Sequence, residues 1–502
     1  MAALLLLAIY AVASLILFIF GLNCYVLLVL FLRRRKSAAT FNARVIEGAR
    51  RNEPAEWPLV TTQIPLYNEA NVAERILRAV AAINYPRERH QIQVLDDSTD
   101  ITRAIVDRVV VELRAAGHWI TVLHRPDRAG FKAGALQAGL QVAAGEFVAI
   151  FDADFVPPPD FLRQTVPFLH LDPGLGLVQG RWGHINPDES LLTRTQAIGI
   201  DGHFMIEQSA RAFNGLMMNF NGTAGVWRRL AIEEAGGWSA DTLTEDLDLS
   251  YRAQLAGWRT HFVTEAVVPA ELPADITAFK SQQFRWAKGS IQTALKILPA
   301  VWRAPVGPWV KVQATLHLTH YLIHPLMLLV AVLALPVLWL FPVDLPWQLL
   351  VALTVMLLVA LAAPGSMYLT SQQLLKRPWH RQLIWIPAMM CLGVGLAVSN
   401  SRAVWEALLG RSSAFVRTPK RGSVQSIGYR TANTVLPWVE LALGLYCTVT
   451  IAANIGSGRY LISPYLLIYA VGFATMAVSG LRADRRSRRN PTSEDAAPAL
   501  AA

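Results

Sequence analysis

Charge is scarce in this 502-residue chain: only 16% of residues are Asp, Glu, Lys or Arg. Cysteine is scarcer still. Cys24, Cys391 and Cys447 are the three present, each inside an apolar run and none at metal-ligand spacing. That excludes a disulfide-stapled or zinc-built scaffold and predicts reduced, structural thiols. The chain also lacks a basic stripe set apart from its apolar segments, which excludes nucleic-acid binding as the source of its +10 net charge. No internal repeat is visible. What fills the space is hydrophobic residues, at 53%, with a mean hydropathy of +0.34. A soluble protein of this length seldom reaches such values, so a multi-pass membrane protein in a lipid bilayer is expected.

The apolar residues gather at the N-terminus and in the C-terminal third. Residues 3–32 form a nearly uncharged run that ends at Arg33, Arg34, Arg35 and Lys36. The run is longer than a signal-peptide core and its charges follow it, which predicts a transmembrane helix rather than a cleaved leader. Further spans are expected at 319–343, 347–369, 435–457 and 460–481. The shorter run 384–399 is either a sixth span or a helix lying in the interface. If it does not cross, the basic residues at 33–36, Lys376, Arg377, Arg381, those from Arg411 to Arg421 and those from Arg485 to Arg489 share one side. The connections carrying Asp344 and Arg459 take the other. The positive-inside rule then puts the N-terminus outside and the central block in the cytoplasm, at the plasma membrane or, in a bacterium, the inner membrane. The expected organisation is a helix and basic flank at 1–36, a cytoplasmic domain at 37–275 and amphipathic interface helices at 276–318. A membrane region at 319–482 and a disordered cytoplasmic tail at 483–502 follow.

The central block alternates. Short apolar strands are expected at 59–64, 92–95, 119–123, 146–151 and 176–181, with helices at 70–83, 101–116 and 132–143 between them. This is βαβ alternation, so the fold class is α/β with a mostly parallel sheet. Ligands of such sheets bind beyond the C-terminal strand ends, and the polar signatures stand there. Asp152 and Asp154 follow the fourth strand two residues apart, so their side chains point the same way. Paired carboxylates there suit Mg²⁺ or Mn²⁺ bridging to a diphosphate, although a solvated turn has the same pattern. Asp96 and Asp97 follow the second strand. They suit a bound base, ribose or metal, with helix capping nearby as the bland alternative. Lys132, in the stretch Gly130–Leu136 that opens a helix, offers a cation near phosphate. Glu245 and Asp246 open another helix, where acids suit the dipole. A transferase joining a sugar to a hydroxyl needs a general base, and Asp246 is the candidate. In Gln282-Gln283-Phe284-Arg285-Trp286, Arg285 can hold a pyrophosphate and Trp286 can stack on a sugar or anchor an interfacial helix.

These motifs occur in one order, with membrane spans on both sides, and together they resemble the processive family-2 glycosyltransferases of the cellulose-synthase superfamily. The stretches Gln63–Glu69, Ile92–Asp100, Phe151–Phe155 and Phe220–Trp227 look most like the cellulose-synthase-like glucomannan and mannan synthases. The resemblance implies an A-type glycosyltransferase domain between transmembrane helices and an inverting, metal-dependent transfer. The nucleotide-sugar donor would be UDP-glucose or GDP-mannose, and the acceptor a growing β-linked polysaccharide. By motif, Pro65, Tyr67, Glu69 and Asp97 would line the base and ribose. Asp152 and Asp154 would hold diphosphate and metal, and Arg285 would face the pyrophosphate. Asp246 would deprotonate the acceptor. Phe220, Gly222, Thr223, Glu245 and Trp286 fall on the acceptor side. Phe415, Thr418 and Lys420 look like the family's gating loop, with Arg417 where a valine is usual. Glu440 either lines a polysaccharide path or snorkels to the interface. The alternative is non-processive glycosylation of ceramide, diacylglycerol or a polyprenyl phosphate. A transporter or scaffold is disfavoured by the complete set of acids. Donor sugar, linkage and accessory subunits stay open at this point.

Overall fold

The computed structural model describes residues 1–54, 56–340, 347–411, 435–458 and 460–489. The stretch with Phe415, Thr418 and Lys420, the positions Asp344 and Arg459, and the tail beyond 489 lie outside the described residues.

The apolar runs of the central block form one seven-stranded sheet in the order β3-β2-β1-β4-β6-β5-β7. The strands are β1 (Val60–Leu66), β2 (His90–Asp96), β3 (Ile120–Leu123), β4 (Phe147–Ile150), β5 (Leu175–His184), β6 (Gly225–Arg228) and β7 (Arg259–Ala270). The first four pair in parallel, as expected of buried βαβ units. The five expected strands are all present. The additions are β6, antiparallel to β4 and β5, and β7, parallel to β5. The sheet is therefore mixed, with parallel pairs in the majority.

Helix α1 (Ala2–Arg51) precedes the sheet. Among the helices that follow, α2 (Ala73–Ala81), α3 (Thr102–Ala115), α4 (Phe131–Gln141) and α5 (Phe161–Leu171) match or extend the expected pattern. Apolar residues of α2, α3 and α5, such as Ile76, Val106 and Leu162, close one face of the sheet. Beyond β5 come α6 (Leu191–Gly202) and α7 (Ser209–Phe213), joined by a π-helical turn at His203–Gln208, then α8 (Arg229–Glu234) and α9 (Glu245–Leu255). Leu136 of α4, Ile232 of α8 and Leu249 of α9 close the other face. Burying both faces is what keeps the polar groups at the strand ends.

Helix α1 does not stop at the basic flank. It runs unbroken to Arg51, because residues 33–47 hold no proline or glycine to end it. Its distal part docks on β7: buried Asn42 donates to Glu265 Oε2 (3.0 Å), and its Oδ1 sits 2.8 Å from His261 Nε2.

The C-terminal half is helical. It comprises α10 (Ile276–Arg303), α11 (Pro308–Leu318), α12 (Ile323–Leu340), α13 (Trp347–Leu374), α14 (Trp379–Gln382), α15 (Trp385–Gly395), α16 (Ala397–Leu408), α17 (Leu436–Gly456) and α18 (Ser463–Arg489). Among the described residues, four helices are long and apolar enough to cross a membrane: Ala3–Arg51, His320–Leu340, Leu436–Gly456 and Ser463–Arg485. The expected span 347–369 lies within α13. The run 384–399 is divided between α15 and the start of α16. Glu440, on α17, is fully buried and pairs with Lys280 Nζ of α10 at 2.5 Å, so it does not snorkel.

Candidate active site

An open cleft lies beyond the C-terminal ends of β1 and β4, covered by the first turns of α4 and α9 and by Gln282, Arg285 and Trp286 further along α10. Each wall follows from local chain chemistry. After β4, Phe151 and Phe155 stay in the core while Phe155 N–H donates to Asp152 O (3.1 Å). That tight turn leaves both Asp152 and Asp154 on the cleft wall. Asp152 N–H donates to Thr223 Oγ1 (3.0 Å), which ties the turn to the segment before β6.

Lys132 enters from the first turn of α4, behind Gly130 (φ 70°) and Phe131 (φ 49°). Its ammonium sits 2.5 Å from Asp152 Oδ1, donates to Gly222 O (2.9 Å) and lies 3.8 Å from Glu245 Oε1. Burial works to lower the Lys132 pKa, but Asp152 and Glu245 outweigh it, and the net movement is upward.

Glu245 and Asp246 are the first two residues of α9, after the turn at Gly236 (φ 86°) and Gly237 (φ 74°). Leu247 N–H donates to Asp246 Oδ1 (2.8 Å), leaving Oδ2 toward Gly222. Burial, then the neighbouring Glu245 carboxylate, push the Asp246 carboxyl up to about 7, against the opposing pull of Lys132. Glu245 is raised as well, mainly by burial, with Lys132 opposing. Two half-buried acids side by side cannot both ionise easily, and one is left poised near neutrality.

Helix α10 brings Arg285 and Trp286 to the same cleft. It approaches α9 closely because residue 289 is glycine: a β-carbon there would meet Thr244 N at 2.9 Å. The Trp286 ring centre lies 6.5 Å from that of Trp182.

Of the residues expected from the sequence, Pro65, Tyr67, Glu69, Asp97, Lys132, Asp152, Asp154, Gly222, Glu245, Asp246, Arg285 and Trp286 all line this one cleft. Three do not. Asp96 is buried behind it, accepting from Ser98 N–H (3.0 Å). Phe220 is in the core, its ring centre 5.7 Å from that of Trp227. Thr223 is fully buried and reaches the site only through Asp152. Adjacent residues on extended chain face opposite ways, so a contiguous motif cannot put every member on one wall.

The sequence reading missed several residues in the cleft wall or directly behind it. Arg125 grips Asp97 with two bonds, Nε to Oδ1 at 3.0 Å and Nη2 to Oδ2 at 2.5 Å. Arg128 lies over the Tyr67 ring, 3.3 Å from its centre. Both precede Gly130 in an unremarked basic stretch, which was the available signal. Trp182, His184 and Asn221 also line the cleft.

Among the described residues, no group of three or more His, Cys, Asp or Glu is placed to hold a metal. Asp152 and Asp154 are nonetheless hard oxygen donors on one wall of the cleft. Mg²⁺ or Mn²⁺ sites of this kind take one or two carboxylates and complete the shell with phosphate oxygens and water. The donor set fits such a cation.

Residues 58–289 match the family described as Glycosyltransferase like family 2. A probable glucomannan 4-beta-mannosyltransferase 6 of Oryza sativa subsp. japonica is 34% identical, across 89% of this chain and 80% of the relative. Glucomannan 4-beta-mannosyltransferase 1 of Cyamopsis tetragonoloba is 32% identical, across 90% of this chain and 87% of the relative. The chain therefore belongs to glycosyltransferase family 2. Within that family its relatives are the cellulose-synthase-like glucomannan 4-β-mannosyltransferases. Against others of these the chain spans about half their length: glucomannan 4-beta-mannosyltransferase 7 of Arabidopsis thaliana is 41% identical, across 57% of this chain and 52% of the relative. Among solved structures, the mannosyltransferase PcManGT from Pyrobaculum calidifontis in complex with GDP-Man and Mn²⁺ is 21% identical. That match has a TM-score of 0.46 and covers 79% of this chain and 100% of that one.

Proposed function

We propose that the chain transfers mannosyl units from GDP-mannose to the end of a growing β-linked mannan or glucomannan, by a metal-dependent inverting displacement, and passes the polymer through its membrane helices. The observation that carries this reading is Asp246: a half-buried carboxyl poised near neutrality in the same cleft as Asp152 and Asp154. The glucomannan 4-β-mannosyltransferase names of the relatives favour mannose over glucose.

Tyr67, Asp97 and Arg128 form the wall for the nucleoside. Arg285 and Lys132 face the diphosphate. Asp152 and Asp154 would hold a divalent cation, which would neutralise charge on the departing diphosphate. The acceptor sugar rests against Trp286, and its hydroxyl points at Asp246. The hydroxyl oxygen bonds to the anomeric carbon from the face opposite the diphosphate. The carbon–oxygen bond to phosphate breaks, the hydroxyl proton passes to Asp246, and an α-linked donor becomes a β-linked product. Lys132 balances Glu245 and Asp152, so that Asp246 ionises without a third uncompensated charge beside it. The distribution of basic residues supports a cytoplasmic catalytic domain at the plasma or inner membrane.

The test uses the purified protein in lipid nanodiscs with Mn²⁺ or Mg²⁺, incubated separately with radiolabelled GDP-mannose and UDP-glucose. The product is sized and digested with linkage-specific hydrolases. A long, β-mannanase-sensitive polymer from GDP-mannose is expected. A single sugar on an organic-extractable lipid would replace the polymerase reading with lipid glycosylation.

A further inference from the structure

The π-helical turn at His203–Gln208 is a rare kind of element, concentrated at functional sites. It changes what the chain can align. His203 and Gln208 are five residues apart, which a regular α-helix would set ~140° apart around its axis. The wider turn lets both reach one side chain, that of Asn221. Asn221 lines the cleft and immediately precedes Gly222, whose carbonyl accepts from Lys132 Nζ (2.9 Å).

The direction of each hydrogen bond in this cluster follows from its two ends. At one end stands the backbone carbonyl of Asn219, which can only accept. It takes a bond from Gln208 Nε2 (2.9 Å), and the same amide nitrogen donates to Asn221 Oδ1. That orients the Asn221 amide, whose Nδ2 then faces His203 Nε2 at 3.2 Å. Nε2 therefore accepts, and the ring proton is on Nδ1. At the other end is Glu207. Burial raises its pKa, but Arg211 and His203 outweigh burial and hold the carboxyl well below the usual range. An ionised carboxylate only accepts, so Oε2 takes its bond from His203 Nδ1 (3.0 Å). Oε1 accepts from Arg211 Nε (3.1 Å), and the Arg211 side chain is 1% exposed. Both ends demand the same tautomer of His203.

We propose that His203 is a positioning residue for the transfer: backed by Glu207 and Arg211, it fixes the Asn221 side chain and with it the backbone at Gly222, against which Lys132 and Asp246 are set. This inference rests on the glycosyl-transfer reading above. Gln179 holds the same strip by its backbone, accepting from Asn221 N–H (3.1 Å), which leaves the side chain of Asn221 to His203 and Gln208. The chain of contacts continues away from the cleft. Arg211 Nη1 donates to Gln313 O (3.4 Å), and Gln313 Nε2 donates to Asn23 Oδ1 (2.7 Å) within the apolar run of α1.

The test measures kcat and KM for transfer from GDP-mannose to mannobiose, with full-length enzyme in nanodiscs and Mn²⁺. GDP affinity is followed by calorimetry. His203→Phe should lower kcat at least ~10-fold, because the reacting groups are displaced, and leave GDP affinity within ~3-fold. Two polar variants separate the contacts. The side-chain oxygen of His203→Gln can stand where Nε2 accepts from Asn221, whereas the shorter His203→Asn reaches only the Nδ1 position and Glu207. His203→Gln should recover most of the lost kcat, and His203→Asn should resemble His203→Phe. Combining His203→Phe with Asn221→Ala should lose no more than Asn221→Ala alone. Equal kcat in the Gln and Asn variants, or losses that multiply in the double variant, would overturn the positioning role alone. If His203→Phe does not fold, the contrast between Gln and Asn decides. Wild-type enzyme that binds no GDP and transfers no mannose would overturn the functional reading instead.

Discussion

Gly222 stands directly against Asp246: a β-carbon on residue 222 would come 2.9 Å from Asp246 Oδ2 and 3.4 Å from Lys132 Nζ. Its backbone is also left-handed, at φ 79°. The oxygen that would take the acceptor's proton is therefore free to face the cleft only because this residue has no side chain. Gly222→Ala should cost ~1–2 kcal/mol in stability from the backbone alone. By displacing Asp246 or Lys132 it should lower kcat ~10²-fold. Thermal unfolding in detergent and steady-state kinetics check both. An alanine variant with wild-type kcat would remove the contact from the mechanism.

Asp246→Asn removes the proton acceptor while keeping the shape. We expect transfer to fall ~10²–10⁴-fold and GDP affinity to change little. The wild-type rate should rise with pH through about 7, since the carboxyl accepts a proton only once ionised. Stability runs the other way. The folded carboxyl keeps its proton up to about 7, while an ordinary Asp loses it near 3.8. Between those values the folded state binds more protons, so its contribution to stability falls as pH rises. Asp246→Asn, which mimics the neutral form, should gain in melting temperature over wild type as pH moves from 4 to 8. A pH-independent difference would refute the raised pKa.

Thr223→Val keeps the size of a residue that never touches the cleft but removes the hydroxyl accepting from Asp152 N–H. Leaving that N–H unmade should cost ~1–3 kcal/mol and loosen the turn that presents Asp152 and Asp154. GDP affinity in the presence of Mn²⁺ should fall more than GDP affinity in EDTA. Equal losses in the two titrations would mean that Thr223 acts only through stability.

Arg125→Ala strands the Asp97 carboxylate, which is 6% exposed and otherwise gripped at both oxygens. Breaking a buried pair in this way costs ~3–5 kcal/mol. Arg125→Lys should not rescue it, because an ammonium cannot make the paired contact. Nucleoside monophosphate binding, measured by calorimetry, should weaken in both variants. Tight binding in Arg125→Lys would show that charge alone suffices.

Much of this was legible from the sequence. Strands β1 to β5 announce themselves as short apolar runs, and Asp97, Asp152, Asp154 and Asp246 stand where strands end or helices begin. Strand β7 was hidden because exposed and buried residues mix along it (Arg259, His261 and Glu265 beside Phe262 and Val263) where α1 supplies the polar partner through Asn42. Strand β6 is only four residues long and follows a glycine-rich strip. The Arg125–Asp97 grip joins residues 28 apart, and His184–Asp201 joins residues 17 apart across a loop. Neither spacing follows a helix or strand period, so only the folded chain brings those partners together.

Helix α1 has 50 residues in one unbroken rod. At the usual rise it is ~75 Å long, and the hydrocarbon layer takes up only ~30 Å of such a rod. The remainder is a stiff mast moored to β7 at Asn42. The far end of that rod is thus rigidly continuous with the apolar run at its start, and Asn42 fixes the separation between that run and β7.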